Sequence, residues 1–258
     1  MNRPKKYLQT DIRWARNDYS AGGDGSTIGN AGCGPTSAAM VIATWKDANI
    51  TPADTAAWAK ANGYKAPNQG TYYSYFAPQM AKFGIACRQL NYINLRNMSA
   101  YEAAKYHEKA LQAVQRGDLV IACMGPGLWT SSGHFILWWN VTGATVHIND
   151  PASTRAEKEQ APLERLQREV KYYFICERPE DLREEEEEVR YKTVNDIPNK
   201  NGFQDIVKKL MDAKIIGGDG NGTIDLSHDM VRGIVFNYRG GAYDKKLVQM
   251  GFEPAVKR

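Results

Sequence analysis

The sequence has few cysteines and histidines, and it has no long apolar run. Four cysteines and four histidines occur among 258 residues. The cysteines show neither the paired spacing of a disulfide scaffold nor a C-x-x-C zinc motif. The longest apolar stretches, residues 119–124 and 135–139, are as long as a strand and too short to cross a bilayer. We therefore expect no membrane segment, and synthesis in a reducing cytosol.

The charge of the chain is also low for a nucleic-acid-binding protein. It is 43% hydrophobic and 24% charged, as soluble globular proteins are, with a net charge of +4. No stripe of Lys and Arg residues is present to bind phosphates. The basic residues 1–6 lead into a mixed segment rather than the apolar core of a signal peptide. We expect neither nucleic acid nor membrane as a partner, and a cytoplasmic location on synthesis.

Apolar spacing predicts helices in the first half of the chain and strands after them. Helices are predicted over residues 34–46, 52–62, 73–83 and 100–115. Strands are predicted over residues 118–124, 134–141, 144–149 and 170–177, with the second and third joined as a hairpin. Cys123 and Cys176 fall in these strands as small apolar residues. Residues 1–177 are thus expected to form an α+β domain with a helical lobe beside an antiparallel sheet.

The composition changes after this domain. Residues 177–190 contain eight acidic and three basic residues and have too little apolar content to fold alone. We interpret residues 178–190 as an acidic linker. A second module, residues 191–258, is expected to be small and helical, with helices near residues 203–213, 228–238 and 245–250.

A glycine-rich stretch in the second module is similar in sequence pattern to a calcium-binding loop. If Gly222 is aligned with the obligatory glycine of that loop, Gly217 stands at the first ligand position and His228 at the last. A calcium loop requires Asp and a bidentate Glu at those positions. The stretch is therefore interpreted as a turn between helices, and no metal or other cofactor is expected in the chain.

Cys33 is the candidate nucleophile. It stands in a turn of small residues, Gly32-Cys33-Gly34-Pro35, directly before an apolar run. The unpaired N–H groups and positive dipole end of a helix N-terminus favour the thiolate over a thiol whose ordinary pKa is about 8.5. Pro35 suits a first helical turn, and Gly34 is expected to keep the approach to the sulphur open.

A cysteine nucleophile requires a base, a group that orients the base, and donors for the oxyanion. His134, at the entrance of a predicted strand, is favoured as the base over the mid-strand His147, while His107 and His228 are expected to face solvent or cap helices. Asp150 is the candidate to accept the Nδ1 proton of that base, with Asn149 as the alternative. The backbone N–H of Cys33 and the side chain of Gln9 are the candidate oxyanion donors.

At these residues the sequence resembles the papain-like cysteine peptidases of the bacteriocin-leader-processing superfamily, in their stand-alone bacterial and phage branch. The resemblance rests on four segments, residues 7–14, 27–40, 133–135 and 149–151, whose order and spacing agree over residues 7–177. It implies a papain-like two-lobe fold in which Cys33 is the nucleophile, His134 the base and Asp150 the orienting residue.

The sequence departs from this family at one position. Members that process leader peptides keep a glutamine six residues before the nucleophile, where this chain has Thr27. The oxyanion role is therefore assigned to Gln9, much further upstream.

Residues 191–244 resemble the short helical modules at the C-termini of phage and bacterial cell-wall lytic enzymes. That resemblance implies that the second module binds a cell-wall polymer, and its 11 basic and 8 acidic residues suit an anionic one. The chain as a whole is expected to be a phage-type endolysin that cleaves an amide bond of peptidoglycan at the cell wall after release from the cytoplasm.

Two other functions remain open from the sequence. The first is a protein-processing cysteine peptidase, which labelled peptide substrates would distinguish from a peptidoglycan hydrolase. The second is a non-catalytic protein that binds the wall or another partner, which would release no new amines from walls.

Overall fold

The computed structural model describes residues 3–182, 190–217 and 223–256, without the side chains of Lys200 and Asp229. The chain divides into two compact units, Met1–Leu182 and Arg183–Arg258. Residues 183–189 of the predicted acidic linker and residues 218–222 of the glycine-rich stretch lie outside the described residues, so both interpretations stay predictions.

The first unit combines seven α-helices and six strands within the described residues. The helices are α1 (Ile28–Ala31), α2 (Cys33–Trp45), α3 (Pro52–Ala61), α4 (Phe76–Ala81), α5 (Ala100–Gln115), α6 (Ala156–Glu159) and α7 (Leu163–Glu169). The strands are β1 (Cys87–Gln89), β2 (Leu119–Met124), β3 (His134–Thr142), β4 (Thr145–Asn149), β5 (Gln160–Pro162) and β6 (Val170–Cys176). The expected α+β fold is confirmed.

The six strands form one antiparallel sheet in the order β1-β6-β2-β3-β4-β5. Strand β2 is buried along its whole length, because alternate side chains enter two different cores. Leu119, Ile121 and Cys123 pack with the helical lobe of α2 and α4. Val120 and Ala122 pack on the opposite face with α5. The sheet thus lies between two helical layers, and its α2 face carries the site.

The ends of the predicted helices have clear local causes. Thr51 and Asp54 form a capping box at the start of α3, and Ser99 and Glu102 form another at the start of α5. Gly117 follows α5 with a φ of 91°, which favours glycine. The helix predicted over residues 73–83 is shorter than expected, because residues 73–75 form a 3-10 turn before α4.

The predicted hairpin is confirmed with a tighter turn than expected. Strand β3 continues to Thr142, which pairs with Thr145, so only Gly143 and Ala144 connect the two strands. The short elements β1, β5, α1, α6 and α7 were not predicted. Nor was the pairing of Cys87 with Cys176 across β1 and β6, where the two free thiol sulphurs are 3.3 Å apart.

The second unit is small and helical, as expected. It contains β7 (Arg190–Tyr191), β8 (Leu226–Ser227), α8 (Phe203–Asp212), α9 (His228–Arg239) and α10 (Asp244–Gln249). Val207, Val231 and Val235 are buried at the contact of α8 with α9, and Leu247 of α10 packs on Leu210. The unit therefore has a hydrophobic core of its own. Across both units, no described helix has the length and apolar character needed to span a membrane.

Candidate active site

Cys33 is the first residue of α2, as its turn sequence predicts. Gly32 caps this helix without any side-chain hydrogen bond, so the N–H groups of the first turn remain directed at the N-terminal end. Burial raises the pKa of the Cys33 thiol. A hydrogen bond with His134, the positive charge of that ring, and the backbone amides of Phe135 and Gly34 together lower the pKa by more than burial raises it. The net pKa lies below its ordinary value, which favours a thiolate.

His134 is the first residue of β3, and only 8% of its surface is exposed. Its Nε2 atom lies 2.7 Å from Oδ1 of Asp150. The Nδ1 atom is therefore the one left for the hydrogen bond with Cys33. The expectation that Asp150 accepts the Nδ1 proton is wrong, because β3 presents the ring with its far nitrogen towards the end of β4.

His134 is held as a cation. Burial lowers the pKa of its ring, but the hydrogen bond to Asp150 and the hydrogen bond and charge of Cys33 outweigh burial and raise the pKa to about 9. Together with the lowered pKa of Cys33, this favours a thiolate–imidazolium pair at neutral pH.

Asp150 is completely buried directly after β4. Its Oδ1 atom also accepts the backbone N–H of Ala152 at 2.8 Å. Its Oδ2 atom has no hydrogen-bond partner in the described structure, and Nζ of Lys158 lies 4.0 Å away. A carboxylate fixed in this way orients the imidazole and stabilises its positive charge.

Asn149, the alternative orienting residue, has a different role. Its Oδ1 atom accepts hydrogen bonds from the Arg3 guanidinium at 3.2 and 3.1 Å, and its amide donates to the carbonyls of Pro4 and Lys5. Both ends of the side chain thus hold the N-terminal segment. The structure favours Asp150 over Asn149 as the partner of His134.

Gln9 is buried between the segment that carries Asp150 and the segment that carries Cys33. Its backbone N–H donates to the carbonyl of Pro151 at 2.8 Å, and its Nε2 atom donates to the carbonyl of Gly29 at 2.8 Å. Gln9 therefore connects the turn after Asp150 to α1, just ahead of Cys33. One of its two amide protons is used by Gly29, and its oxyanion role stays a prediction.

A cleft of about 510 Å³ opens beside Cys33 and His134. Its other lining residues come from the loop before α4, from β2 and β6, and from the start of β3: Ala66, Asn68, Gln69, Gly70, Thr71, Tyr72, Tyr73, Cys123, Ser132, Gly133, Phe135 and Lys171. Tyr73 packs against Tyr172 at 4.7 Å between ring centroids and contributes an aromatic wall. A cleft of this size suits a short peptide segment.

A buried ion pair, missed by the sequence analysis, shapes the loop wall of the cleft. Lys65 Nζ lies 2.8 Å from Asp24 Oδ2, with side chains 1% and 2% exposed. The same ammonium donates to the carbonyls of Ala66 and Gln69, both at 2.7 Å. Hydrogen bonds from Lys65 and from the backbones of Ser26 and Asn68 hold the pKa of Asp24 far below its usual value. Nothing in the local sequence marks Lys65 as buried.

Gly34 has a packing role that the sequence did not indicate. A Cβ atom there would lie 2.6 Å from Oγ1 of Thr71, whose hydroxyl bonds that of Tyr19 at 2.7 Å. The glycine is therefore required for contact between α2 and the cleft loop, and its effect on the approach to the sulphur stays a prediction.

The other histidines have structural partners. Nδ1 of His107 lies 3.0 Å from the buried hydroxyl of Tyr173, so the expectation of a solvent-facing or capping residue is wrong. His147 bonds Thr142, and His228 bonds Tyr191 at the start of α9. No group of three or more His, Cys, Asp or Glu side chains in the described parts of the chain could hold a metal ion.

Comparison with known proteins places the site in a family context. The model of the "Peptidase_C39 like family" matches residues 11–175. A solved structure described as a double glycine motif protease from an AMS/PCAT transporter, in complex with the leader peptide, is similar at 17% identity. The match covers 56% of this chain and 84% of that chain, with a TM-score of 0.38. A search of curated proteins found no match.

Proposed function

Because the chain belongs to the Peptidase_C39 like family of cysteine peptidases, we propose that its substrate is an amide bond in the peptide part of bacterial peptidoglycan. In this proposal the first unit cleaves and the second unit holds the enzyme on a wall polymer, as in a phage-type endolysin. The cysteine chemistry is supported by one observation above all, the His134–Asp150 hydrogen bond beside a thiol of lowered pKa at the end of a cleft.

The reaction begins with attack of the Cys33 thiolate on the amide carbonyl. The backbone N–H of Cys33 and the side chain of Gln9 are the proposed donors to the developing oxyanion. The His134 imidazolium then gives its Nδ1 proton to the leaving amine, which leaves a thioester on Cys33. The neutral ring next takes a proton from water, the resulting hydroxide attacks the thioester, and the product acid leaves as the thiolate re-forms.

Asp150 keeps the imidazole in position through both steps. It stays hydrogen-bonded to Nε2, so that Nδ1 faces the sulphur in every stage.

The wall as target is supported by the second unit. Its residues resemble helical modules of lytic enzymes, it has its own hydrophobic core, and residues 191–258 carry 11 basic and 8 acidic side chains. A small basic unit in the same chain as a catalytic one suits an anionic polymer that concentrates the enzyme on an insoluble substrate.

The test is digestion of purified peptidoglycan followed by mass spectrometry of the released fragments. We expect fragments with a new amino and a new carboxyl terminus, and none with a new reducing sugar end. Cys33→Ala should abolish release with the fold intact by circular dichroism. Cys87→Ser changes a thiol on β1 outside the cleft and is the matched control, which should release fragments at the wild-type rate.

Two outcomes would reject the peptidoglycan assignment. Fragment release by Cys33→Ala equal to that of the wild type would contradict the cysteine mechanism. Cleavage of labelled polypeptides without any release from walls would instead establish the protein-processing function.

A further inference from the structure

Lys171 occupies a β-bulge at the level of the proposed catalytic residues. On β6, Tyr172 pairs with Cys123 of β2 and Val170 pairs with Met124, so Lys171 is the extra residue between two successive pairs. Met124 in turn pairs with His134. A bulge redirects the side chain that it carries, and bulges are frequent next to active sites.

A buried amide group holds this bulge. The Nδ2 atom of Asn91 donates to the carbonyl of Lys171 at 2.9 Å, and its Oδ1 atom accepts the N–H of Tyr173 at 3.0 Å. Asn91 is only 1% exposed, and its Nδ2 atom also donates to the carbonyl of Ile93. The carbonyl of Lys171 and the N–H of Tyr173 are thus both bonded to one buried amide, which supports the bulge.

The side chain of Lys171 lines the same cleft as Cys33 and His134. Its Nζ atom would lie 3.3 Å from a Cβ atom built on Gly133, the residue before His134. No acidic side chain lines the cleft, and no carboxylate of the described residues lies within ion-pair distance of Lys171. Among the described residues the ammonium is therefore a cation without a counter-ion, close to Gly133, the residue before His134.

We propose that Lys171 binds a carboxylate of the substrate, so that the preferred substrates are peptides with a carboxylate close to the scissile amide. This inference rests on the proposed peptidase function. The charge of Lys171 also affects the pKa of Cys123 on β2. Burial raises the pKa of this thiol to about 11, and the ammonium of Lys171 opposes that rise. The carboxylate is accordingly bound on the β2 and β6 side of the cleft, in the same cleft as Cys33 and His134.

The first experiment measures reaction of Cys33 with two aromatic disulfides of similar size. One is the anionic 5,5′-dithiobis(2-nitrobenzoate), and the other is the neutral 4,4′-dithiodipyridine. In the full chain at pH 7, Lys171→Gln should lower the anionic-to-neutral rate ratio about fivefold, and Lys171→Arg should preserve it. Reaction of the Cys33→Ala protein is subtracted, so that the other thiols do not contribute.

The second experiment compares peptidoglycan stem peptides whose free carboxylates are intact with the same peptides after amidation. We expect Lys171→Gln to raise KM for the carboxylate form about fivefold and to leave KM for the amidated form unchanged. A purely structural role for Lys171 would change both substrates equally.

The two experiments separate this inference from the function on which it rests. If neither peptide is cleaved by the wild type, the proposed function fails, while the disulfide rates still report on Lys171. An unchanged rate ratio in Lys171→Gln, or equal loss with both disulfides, would overturn the carboxylate site.

Discussion

At the residue scale, the site depends on how the two nitrogens of His134 are shared. Nε2 faces Asp150 at 2.7 Å, and Nδ1 is left for Cys33. The pKa of Cys33 is lowered, and that of His134 is raised to about 9, so the thiolate–imidazolium pair exists between these two ionisations. The width of that pH interval is set by the groups around the ring.

We expect the pH profile of kcat/KM to rise as Cys33 ionises and to fall near pH 9 as His134 loses its proton. Burial lowers the pKa of His134 and Asp150 raises it, so Asp150→Asn should move the alkaline fall to lower pH. It should also lower kcat by about 10²-fold or more. The measurement is initial rates of fragment release from pH 4 to pH 11.

Asp181→Asn is the matched control for this substitution. Asp181 lies in the same unit, where its exposed carboxylate pairs with Lys46 at 3.1 Å. Its profile should coincide with that of the wild type. An alkaline limb that stays near pH 9 in Asp150→Asn would show that Asp150 does not set the ionisation of the ring.

The identity of these residues could be predicted from sequence better than their geometry. Cys33 stands in a helix-start motif, and His134 and Asp150 stand at strand ends, which are local signals. The orientation of the His134 ring depends on where β4 ends beside β3, and this is a tertiary property. Lys171 gives no local signal either, because its bulge exists only against the register of β2.

At the element scale, α2 must approach the cleft loop closely for Cys33 to stand at the cleft. Gly34 permits that approach, since any side chain there would overlap Thr71. The long elements α3, α5, β2, β3, β4 and β6 could be predicted, because the two helices have capping boxes and the strands are runs of at least five residues rich in apolar or β-branched side chains. The short elements β1, β5 and α6 have three or four residues, which is too few for a period to be recognised.

Gly34→Ala should therefore destabilise the first unit and displace the nucleophile. The added methyl group would lie 2.6 Å from the Thr71 hydroxyl and 2.9 Å from its Cβ atom. We expect the free energy of unfolding to fall by about 1–3 kcal/mol, as for overpacked cores, with a lower kcat/KM. Urea denaturation and initial rates measure the two effects.

Gly233→Ala is the control, because a Cβ atom at this position of α9 would meet no atom within 4 Å. There the free energy of unfolding should stay the same or rise by up to about 1 kcal/mol. Equal destabilisation by the two substitutions would mean that the contact with Thr71 is not the cause.

At the scale of the whole molecule, the chain divides into two units with separate hydrophobic cores. The composition change near residue 177 predicts this division, because apolar residues become scarce there and acidic residues accumulate. What the second unit binds could not be predicted from physical pattern, since a small helical unit with a modest positive charge fits several anionic polymers.

Residues 1–182 alone should retain peptide hydrolysis and lose retention on walls. The reason is that every residue proposed for the reaction, from Gln9 to Lys171, belongs to the first unit. Co-sedimentation with purified walls and hydrolysis of soluble stem peptides are measured for the full chain and for the shortened chain. Equal co-sedimentation of the two proteins would contradict a wall-binding role for the second unit.

The N-terminal segment held by Asn149 and Pro151 has a consequence for the order of synthesis. Arg3 bonds Asn149 and Glu159, and Gln9 bonds Pro151, so these residues find their partners more than 140 residues later in the chain. Cys33 likewise meets His134 only across a long stretch of chain. Contacts so distant in sequence form late, after the chain between them has been translated. During translation the site therefore stays unassembled until residues beyond 159 have emerged from the ribosome. The growing chain forms its peptidase site only when the first unit is nearly complete.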